Sequence, residues 1–271
     1  MKKTLKIVLA TIAACMVTTG KAQTLPEYER QISLLFAQIE QSDDKCNNLI
    51  CNDSIHTLFA QALAIDGAFG YAFDNLKFVG KILADDGLLR IYTWNIPADS
   101  GFIYNGYIQK QSGEYVRLTQ TSAPFVIDQQ QTLQADQWYG ALYYRATAYK
   151  YRRQKVYLLL GWNGQNAHTQ HKIIDVLWFD NNGRAQLGLP ILENNNRNLY
   201  RHVFEYDADI TMYLDYEPDK RRIAFDHLSP IKYFDDETVT LGPDMSVDAY
   251  VRRTKGWQLR EDVRATNKHK H

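Results

Sequence analysis

Apolar and polar residues alternate from Phe204 to Tyr216, and this alternation constrains the fold more than any other feature of the chain. The even positions are all apolar: Phe204, Tyr206, Ala208, Ile210, Met212, Leu214 and Tyr216. Because successive side chains of a strand point to opposite faces, the pattern predicts an antiparallel strand with one wet face, or two such strands joined at a bulge. A turn at Pro218-Asp219 would then pair Leu214 with Ile223.

Strand–turn–strand patterns recur throughout the chain after residue 70. Turn signals stand at Asp85-Asp86-Gly87, Ser112-Gly113-Glu114, Arg152-Arg153-Gln154, Asp180-Asn181-Asn182-Gly183, Glu217-Pro218-Asp219-Lys220 and Thr254-Lys255-Gly256. The run Val156 to Leu160 is continuously apolar, which is typical of a central strand buried on both faces. We therefore predict a mainly β fold of roughly ten to twelve strands in antiparallel, hairpin-connected sheets, arranged as a sandwich or an open barrel.

The segment 23–70 has helical rather than strand periodicity. Ile32, Leu35, Phe36 and Ile39 recur at helical spacing, and a second helix is expected to start near Asp53 or Ser54. Cys46 and Cys51 lie between these two patterns. The sequence thus predicts a helical hairpin whose turn is closed by a Cys46–Cys51 disulfide, packed on one side of the sheets.

The first 22 residues have the pattern of an export signal. A basic start at Lys2 and Lys3 comes before the apolar stretch from Ile7 to Val17, and Gly20-Lys21-Ala22 places small residues at a cleavage site. A lipobox-like Ile12-Ala13-Ala14-Cys15 offers the alternative of a lipid anchor at Cys15. The expected organisation is a signal peptide over 1–22, a helical segment over 23–70, an antiparallel β domain over 71–265 and a disordered tail over 266–271. Export places the protein in the periplasm or at the cell surface.

Charge and hydropathy exclude some partners. Lysine plus arginine and aspartate plus glutamate each number 31, and loss of the four lysines in the first 22 residues would leave a net charge of −4. Nucleic acid is therefore disfavoured as a partner, because its binding requires a basic surface. After the first 20 residues no apolar run approaches the ~20 residues of a transmembrane helix.

Two histidine-containing segments are candidate sites. His168 and His171 lie close together in a loop between two strands, but two imidazoles do not complete a metal site, and we predict no metal or cofactor. Asp226-His227-Leu228-Ser229 has the residue types of a hydrolytic triad. Adjacent strand residues face opposite ways, so Asp226 cannot orient His227, and no Gly-x-Ser-x-Gly elbow accompanies Ser229.

Aromatic residues suggest a recognition surface. The chain has five Trp and 18 Tyr, and exported β proteins that bind glycans or proteins use exposed rings of this kind. Trp162 is the candidate for stacking on a sugar. With His168, His171, Asp226 and His227, it completes the set of candidate ligand-binding residues.

Several motifs resemble a family of exported, β-rich proteins from Bacteroidota that has no assigned function. They are Phe73-Asp74-Asn75-Leu76, Asp86-Gly87-Leu88-Leu89-Arg90-Ile91-Tyr92-Thr93-Trp94-Asn95, Leu159-Leu160-Gly161-Trp162-Asn163-Gly164, Lys172-Ile173-Ile174-Asp175-Val176-Leu177, Phe225-Asp226-His227-Leu228-Ser229-Pro230 and Gly242-Pro243-Asp244. The likeness covers about residues 73 to 263 and implies an exported β-rich protein; it assigns no activity, catalytic residue or ligand.

The preferred hypothesis is an exported, non-catalytic protein of the cell envelope that acts by binding or assembly, with a protein or a glycan as partner. It rests on the incomplete catalytic constellations described above. An envelope hydrolase whose residues are scattered over strand-end loops, and a glycan-binding module that uses exposed Trp and Tyr, are the alternatives.

Overall fold

A computed structural model describes residues 23–99, 101–121, 127–164, 166–232 and 239–263. The predicted signal peptide, the lipobox at Cys15 and the predicted tail over 266–271 lie outside the described residues. The helices are α1 Leu25–Glu40 and α2 Lys45–Leu63. The strands are β1 Gly80–Leu83, β2 Leu89–Pro97, β3 Phe102–Lys110, β4 Tyr115–Thr119, β5 Leu133–Gln134, β6 Leu142–Tyr151, β7 Gln154–Asn163, β8 Thr169–Phe179, β9 Ala185–Leu187, β10 Leu192–Asn194, β11 Arg197–Leu199, β12 His202–Asp207, β13 Leu214–Glu217, β14 Arg222–Lys232, β15 Val239–Arg253 and β16 Gly256–Arg260.

The strands form three sheets. The first has the order β1-β2-β3-β4, the second β5-β9-β8-β7-β6 with β12 also paired to β8, and the third β11-β10-β16-β15-β14-β13. Among the described strands, all pairs are antiparallel except β10 with β16. The prediction of a mainly β fold with hairpin-connected antiparallel sheets behind two helices is confirmed, and the sheets do not close into a barrel.

The layers are stacked in the order helices, first sheet, second sheet, third sheet. Alternation along β2 shows this directly, because Ile91 packs between the first and second sheets whereas Trp94 packs against the helices. On β7, Leu159 faces the first sheet and Leu158 faces the third. The second sheet is therefore covered on both faces, which explains the continuous apolar run from Val156 to Leu160.

The predicted disulfide is wrong. Helix α2 begins earlier than expected, because the Asp44 side chain accepts hydrogen bonds from the backbone amides of Cys46 and Asn47, at 3.0 and 3.2 Å. Both cysteines consequently lie within one helix as free thiols, Cys46 exposed and Cys51 buried. Five helical positions separate two Cα atoms by about 8–9 Å, and a disulfide requires less than about 7 Å.

The alternating segment 204–216 forms two strands in different sheets rather than one. Strand β12 pairs with β8 of the second sheet, whereas β13 pairs with β14 of the third. Leu214 pairs with Phe225 rather than with Ile223, because the loop to β14 has the four residues 218–221 instead of the two of the expected turn. This register differs from the expected one by two residues, so the side chains of β13 keep their predicted faces.

The described helices include none that is both long and apolar enough to cross a bilayer.

Candidate functional site

The predicted residues near the β7–β8 connection do not form a common site. The Trp162 indole Nε1 donates to Gln170 Oε1 at 2.6 Å, and its ring lies so close to Gly164 that a Cβ there would be 2.6 Å from it. His168 is exposed in the loop. Since the Trp162 ring is half-buried and packed within the protein, it is not a free stacking platform.

His171 has a structural environment on β8. It is 4% exposed, and its Nε2 lies 3.4 Å from Glu205 Oε2 on β12. Burial lowers the pKa of His171, so its ring is neutral at pH 7. His168 and His171 thus differ completely in exposure, and the described residues include no group of three or more His, Cys, Asp and Glu that could hold a metal ion.

Asp226 and His227 lie at an irregularity in the β14–β15 pairing and have separate partners. Asp226 accepts a hydrogen bond from the Tyr213 backbone amide at 2.7 Å, whereas His227 Nδ1 lies 2.8 Å from Asp248 Oδ2 on the neighbouring strand. The hydrogen bond to Asp248 raises the pKa of His227. As expected from strand geometry, Asp226 does not orient the histidine.

Ser229 does not complete a triad with this histidine. Its hydroxyl donates to Asp244 Oδ2 at 2.7 Å, and the same oxygen lies 4.0 Å from His227 Nε2. A nucleophilic serine needs a hydrogen bond to the base that removes its proton. In this arrangement the hydroxyl is bound to a carboxylate instead, so these contacts are not those of a Ser-His-Asp triad.

A strongly charged concave surface lies elsewhere, at the turns of the second and third sheets. Two adjoining clefts of about 800 and 570 Å³ share Tyr151, Arg253 and Gly256 in their walls. Seven basic residues line them: Lys150, Arg152, Lys220, Arg221, Arg252, Arg253 and Lys255. A single carboxylate, Glu193, lies among the lining residues. We call the two clefts together the basic cleft.

The topology brings these charges together. The basic cleft is lined at the β6–β7, β10–β11, β13–β14 and β15–β16 turns, by Arg152, Asn196, Arg221 and Lys255 respectively. The four turns lie far apart in sequence but meet at one end of the packed sheets. Turns held by a rigid scaffold commonly carry binding residues.

Backbone conformation at two of these turns is unusual for arginine. Arg152 and Arg221 have φ values of 54° and 48°, in the left-handed region. That region favours Gly and Asn and costs other residues about 1–2 kcal/mol. Asn196, with φ of 64°, has the same left-handed conformation, which asparagine adopts readily in turns. Two arginines therefore occupy turn positions whose backbone conformation does not favour arginine.

Most of the charges have no counter-ion within the described part of the chain. Lys220 lies 3.1 Å from Glu217, but the other six basic residues form no ion pair with a described carboxylate. Uncompensated like charges lining a concave surface produce a focused positive potential. The basic cleft can thus attract and hold anionic groups.

Aromatic packing supports the floor of the cleft. The Arg252 guanidinium lies 5.6 Å from the centroid of the Tyr149 ring, and the edge of Trp257 packs against the same ring at 5.7 Å. Gly256, with φ of 135°, allows its backbone to lie close to that of Ile191, since a Cβ at Gly256 would lie 2.4 Å from the Ile191 carbonyl oxygen. This close contact places the β15–β16 turn beside β10.

The net charge of the chain gives no indication of the basic cleft, because the 31 basic and 31 acidic residues cancel in the total. The doublets Arg152-Arg153, Lys220-Arg221 and Arg252-Arg253, each at or beside a turn, were the available signal. Comparisons of the chain with protein-family models, curated proteins and solved structures find no match. The function must therefore be inferred from the site itself.

Proposed function

We propose that this chain is an exported, non-catalytic binding protein of the cell envelope and that its basic cleft holds a polyanionic ligand. The observation that carries the proposal is the seven-to-one excess of basic over acidic residues lining a concave surface. The chain as a whole has equal numbers of the two. Chance surface variation in a neutral chain would mix the two signs, as surfaces usually do.

The size of the cleft favours a ligand with several charges over a single small anion. Its two parts have volumes of about 800 and 570 Å³, within the range of ligand sites. Basic residues line both parts, five in the larger and three in the smaller, with Arg253 in both. An anionic polymer or oligomer can contact several of them at once, and each contact releases counter-ions.

A binding role fits the histidine environments better than a catalytic one. His171 is buried against Glu205 in the second sheet, whereas His227 and its partner Asp248 lie on neighbouring strands of the third sheet. Neither histidine lines the basic cleft. The cleft instead contains arginine and lysine, whose fixed positive charges bind anions without exchanging protons at neutral pH.

The proposal is tested by titrating fluorescein-labelled dextran sulfate into the chain lacking residues 1–22 and following fluorescence anisotropy. We expect saturable binding that weakens by more than about tenfold when salt is raised from about 50 to about 200 mM. The triple variant R221S/R252S/R253S should abolish most of it. The control R30S/K77S/R117S removes three exposed charges, from α1, from the segment before β1 and from β4.

The control variant should bind the probe nearly as well as the unaltered protein. Equal losses in the two triple variants would mean that binding depends on net charge alone and would contradict the proposal. Absence of binding at low salt would contradict it as well.

A further inference from the structure

We infer that the ligand of the basic cleft is an acidic oligosaccharide in which a charged sugar adjoins a neutral one. This inference rests on the proposed function and specifies the ligand class. It follows from a chemical difference between the two parts of the cleft. They are defined by their lining residues, one around Arg221 and Arg252 and the other around Glu193 and Asn198.

The larger part is suited to a charged group. It is lined by Lys150, Lys220, Arg221, Arg252 and Arg253 and by no acidic residue. Arginine and lysine bind carboxylate and sulfate through charge-assisted hydrogen bonds. This part therefore selects the charged sugar and supplies most of the affinity.

The smaller part has the groups that bind sugar hydroxyls. Glu193, Asn196 and Asn198 line it together with the apolar residues Leu189 and Pro190. Carboxylate and amide side chains can hydrogen-bond to neighbouring hydroxyls, and small-molecule sites combine a few such polar groups with apolar walls. A neutral sugar ring offers both hydroxyls and apolar C–H groups.

Glu193 is the residue that argues most directly against a simple polyanion site. It shares its part of the cleft with Arg152, Arg253 and Lys255, yet it forms no ion pair with any of these three. From the described residues its carboxylate accepts one hydrogen bond, a long one of 3.4 Å from Gln258 Nε2 to Oε1. The carboxylate thus keeps acceptor capacity for a ligand, while it repels any anion placed beside it.

Two probes separate the oligosaccharide from a polyanion without hydroxyls. One is a hyaluronan hexasaccharide, in which acidic and neutral sugars alternate, and the other is inorganic polyphosphate, which bears charge alone. The substitution Glu193→Gln should have opposite effects on them. Hexasaccharide binding should weaken about tenfold, as expected for the loss of hydrogen bonds to a charged group. Polyphosphate binding should be unchanged or tighter, because a repulsive charge is removed.

The β10–β11 turn offers a matched pair of control variants. Asn195 and Asn196 both have positive φ, so replacing either by Gly preserves the turn. Asn196 lines the cleft whereas Asn195 does not. Asn196→Gly should therefore weaken hexasaccharide binding more than Asn195→Gly does, and neither should alter polyphosphate binding. Isothermal titration calorimetry measures all of these affinities.

The outcomes separate the two proposals. If polyphosphate binds but Glu193→Gln tightens both probes, the cleft is a general polyanion site, and the oligosaccharide inference is wrong while the proposed function stands. If neither probe binds the unaltered protein, the proposed function itself fails. Weaker hexasaccharide binding with unweakened polyphosphate binding supports both.

Discussion

The Arg201 guanidinium and the Asp175 carboxylate are both 0% exposed, and Arg201 Nε lies 3.4 Å from Asp175 Oδ1. Arg201 also donates from its two terminal nitrogens to the carbonyl oxygens of Asp128, Gln131 and Leu187. It therefore ties the 128–131 segment to the second sheet. A buried pair of this kind is not strongly stabilising in itself, but removal of one partner leaves an uncompensated charge.

We expect Arg201→Met to lower the free energy of unfolding by about 3–5 kcal/mol. Burial raises the pKa of Asp175, and Arg201 opposes that rise. Without Arg201 the carboxyl group would favour its protonated form, so the variant should lose stability as the pH rises above the unfolded pKa of about 4. Urea unfolding at several pH values measures both effects.

The double variant R201M/D175N serves as the control for the charge effect. It should recover part of the lost stability, since no carboxylate remains buried. Lys155→Met, which breaks the exposed pair with Asp86, should cost less than about 1 kcal/mol. If R201M lowered the free energy of unfolding no more than K155M does, the buried pair would have no structural role.

The second prediction concerns His56, which lies in α2 against the first sheet. It is 4% exposed, its Nε2 is 2.8 Å from Asn105 Oδ1, and burial lowers its pKa to about 4. A lowered histidine pKa contributes stability that is complete above the unfolded pKa of about 6.5 and is lost as the pH falls toward 4. The loss should reach about 3 kcal/mol, since each pKa unit corresponds to about 1.4 kcal/mol.

Differential scanning calorimetry between pH 4 and pH 7 tests this expectation against the variant His56→Gln. The variant should be less stable at pH 7 but should lose less stability on acidification. His202, whose pKa burial also lowers to about 4, remains in both proteins, so some acid sensitivity should persist. Parallel pH profiles for the two proteins would show that His56 is not the group that titrates.

The third prediction distinguishes the two thiols of α2. Cys46 is exposed, whereas Cys51 is 5% exposed and burial raises the pKa of its thiol. Since the thiolate is the reactive form, iodoacetamide should alkylate Cys46 in the folded protein and Cys51 only after denaturation. Peptide mass spectrometry of samples prepared without reductant shows which of the two cysteines is alkylated. A Cys46–Cys51 disulfide in the isolated protein would contradict the helix position.

The fourth prediction separates stability from binding at Arg221. Arg221→Gly relieves a left-handed backbone at φ of 48°, so the melting temperature should stay the same or rise. Affinity for labelled dextran sulfate should fall, because a cleft charge is lost. Met245→Gly is the matched control, since Met245 also has a positive φ but is 99% exposed and lies outside the cleft. It should leave the affinity unchanged.

Much of the fold could be predicted because its signals are local. The turn at Asp85-Asp86-Gly87 and the apolar run from Val156 to Leu160 each occupy a few consecutive residues, and the structure confirms both. The cysteine spacing suggested a loop between Cys46 and Cys51 and hence a later start for α2. The Asp44 cap instead begins the helix at Lys45. The sequence alone did not indicate that β12 and β13 would enter different sheets.

The candidate site could not be predicted in the same way. Arg152 and Arg221 lie in separate turns and Arg253 ends β15, and each by itself resembles an ordinary solvated residue at a turn. Their proximity depends on how the second and third sheets stack, which is a tertiary property. For Trp162 the residue type suggested a role in recognition, but its ring is packed within the protein.

The most direct measurement of the central claim is a map of where a polyanion binds. Titration of ¹⁵N-labelled protein with a hyaluronan hexasaccharide, followed by heteronuclear NMR, reports every affected backbone amide. We expect the shifts to concentrate at the turns that carry Arg152, Asn196, Arg221 and Lys255 and to diminish with salt. Shifts concentrated instead around Trp162 and His168, or spread over all exposed lysines and arginines, would contradict the account.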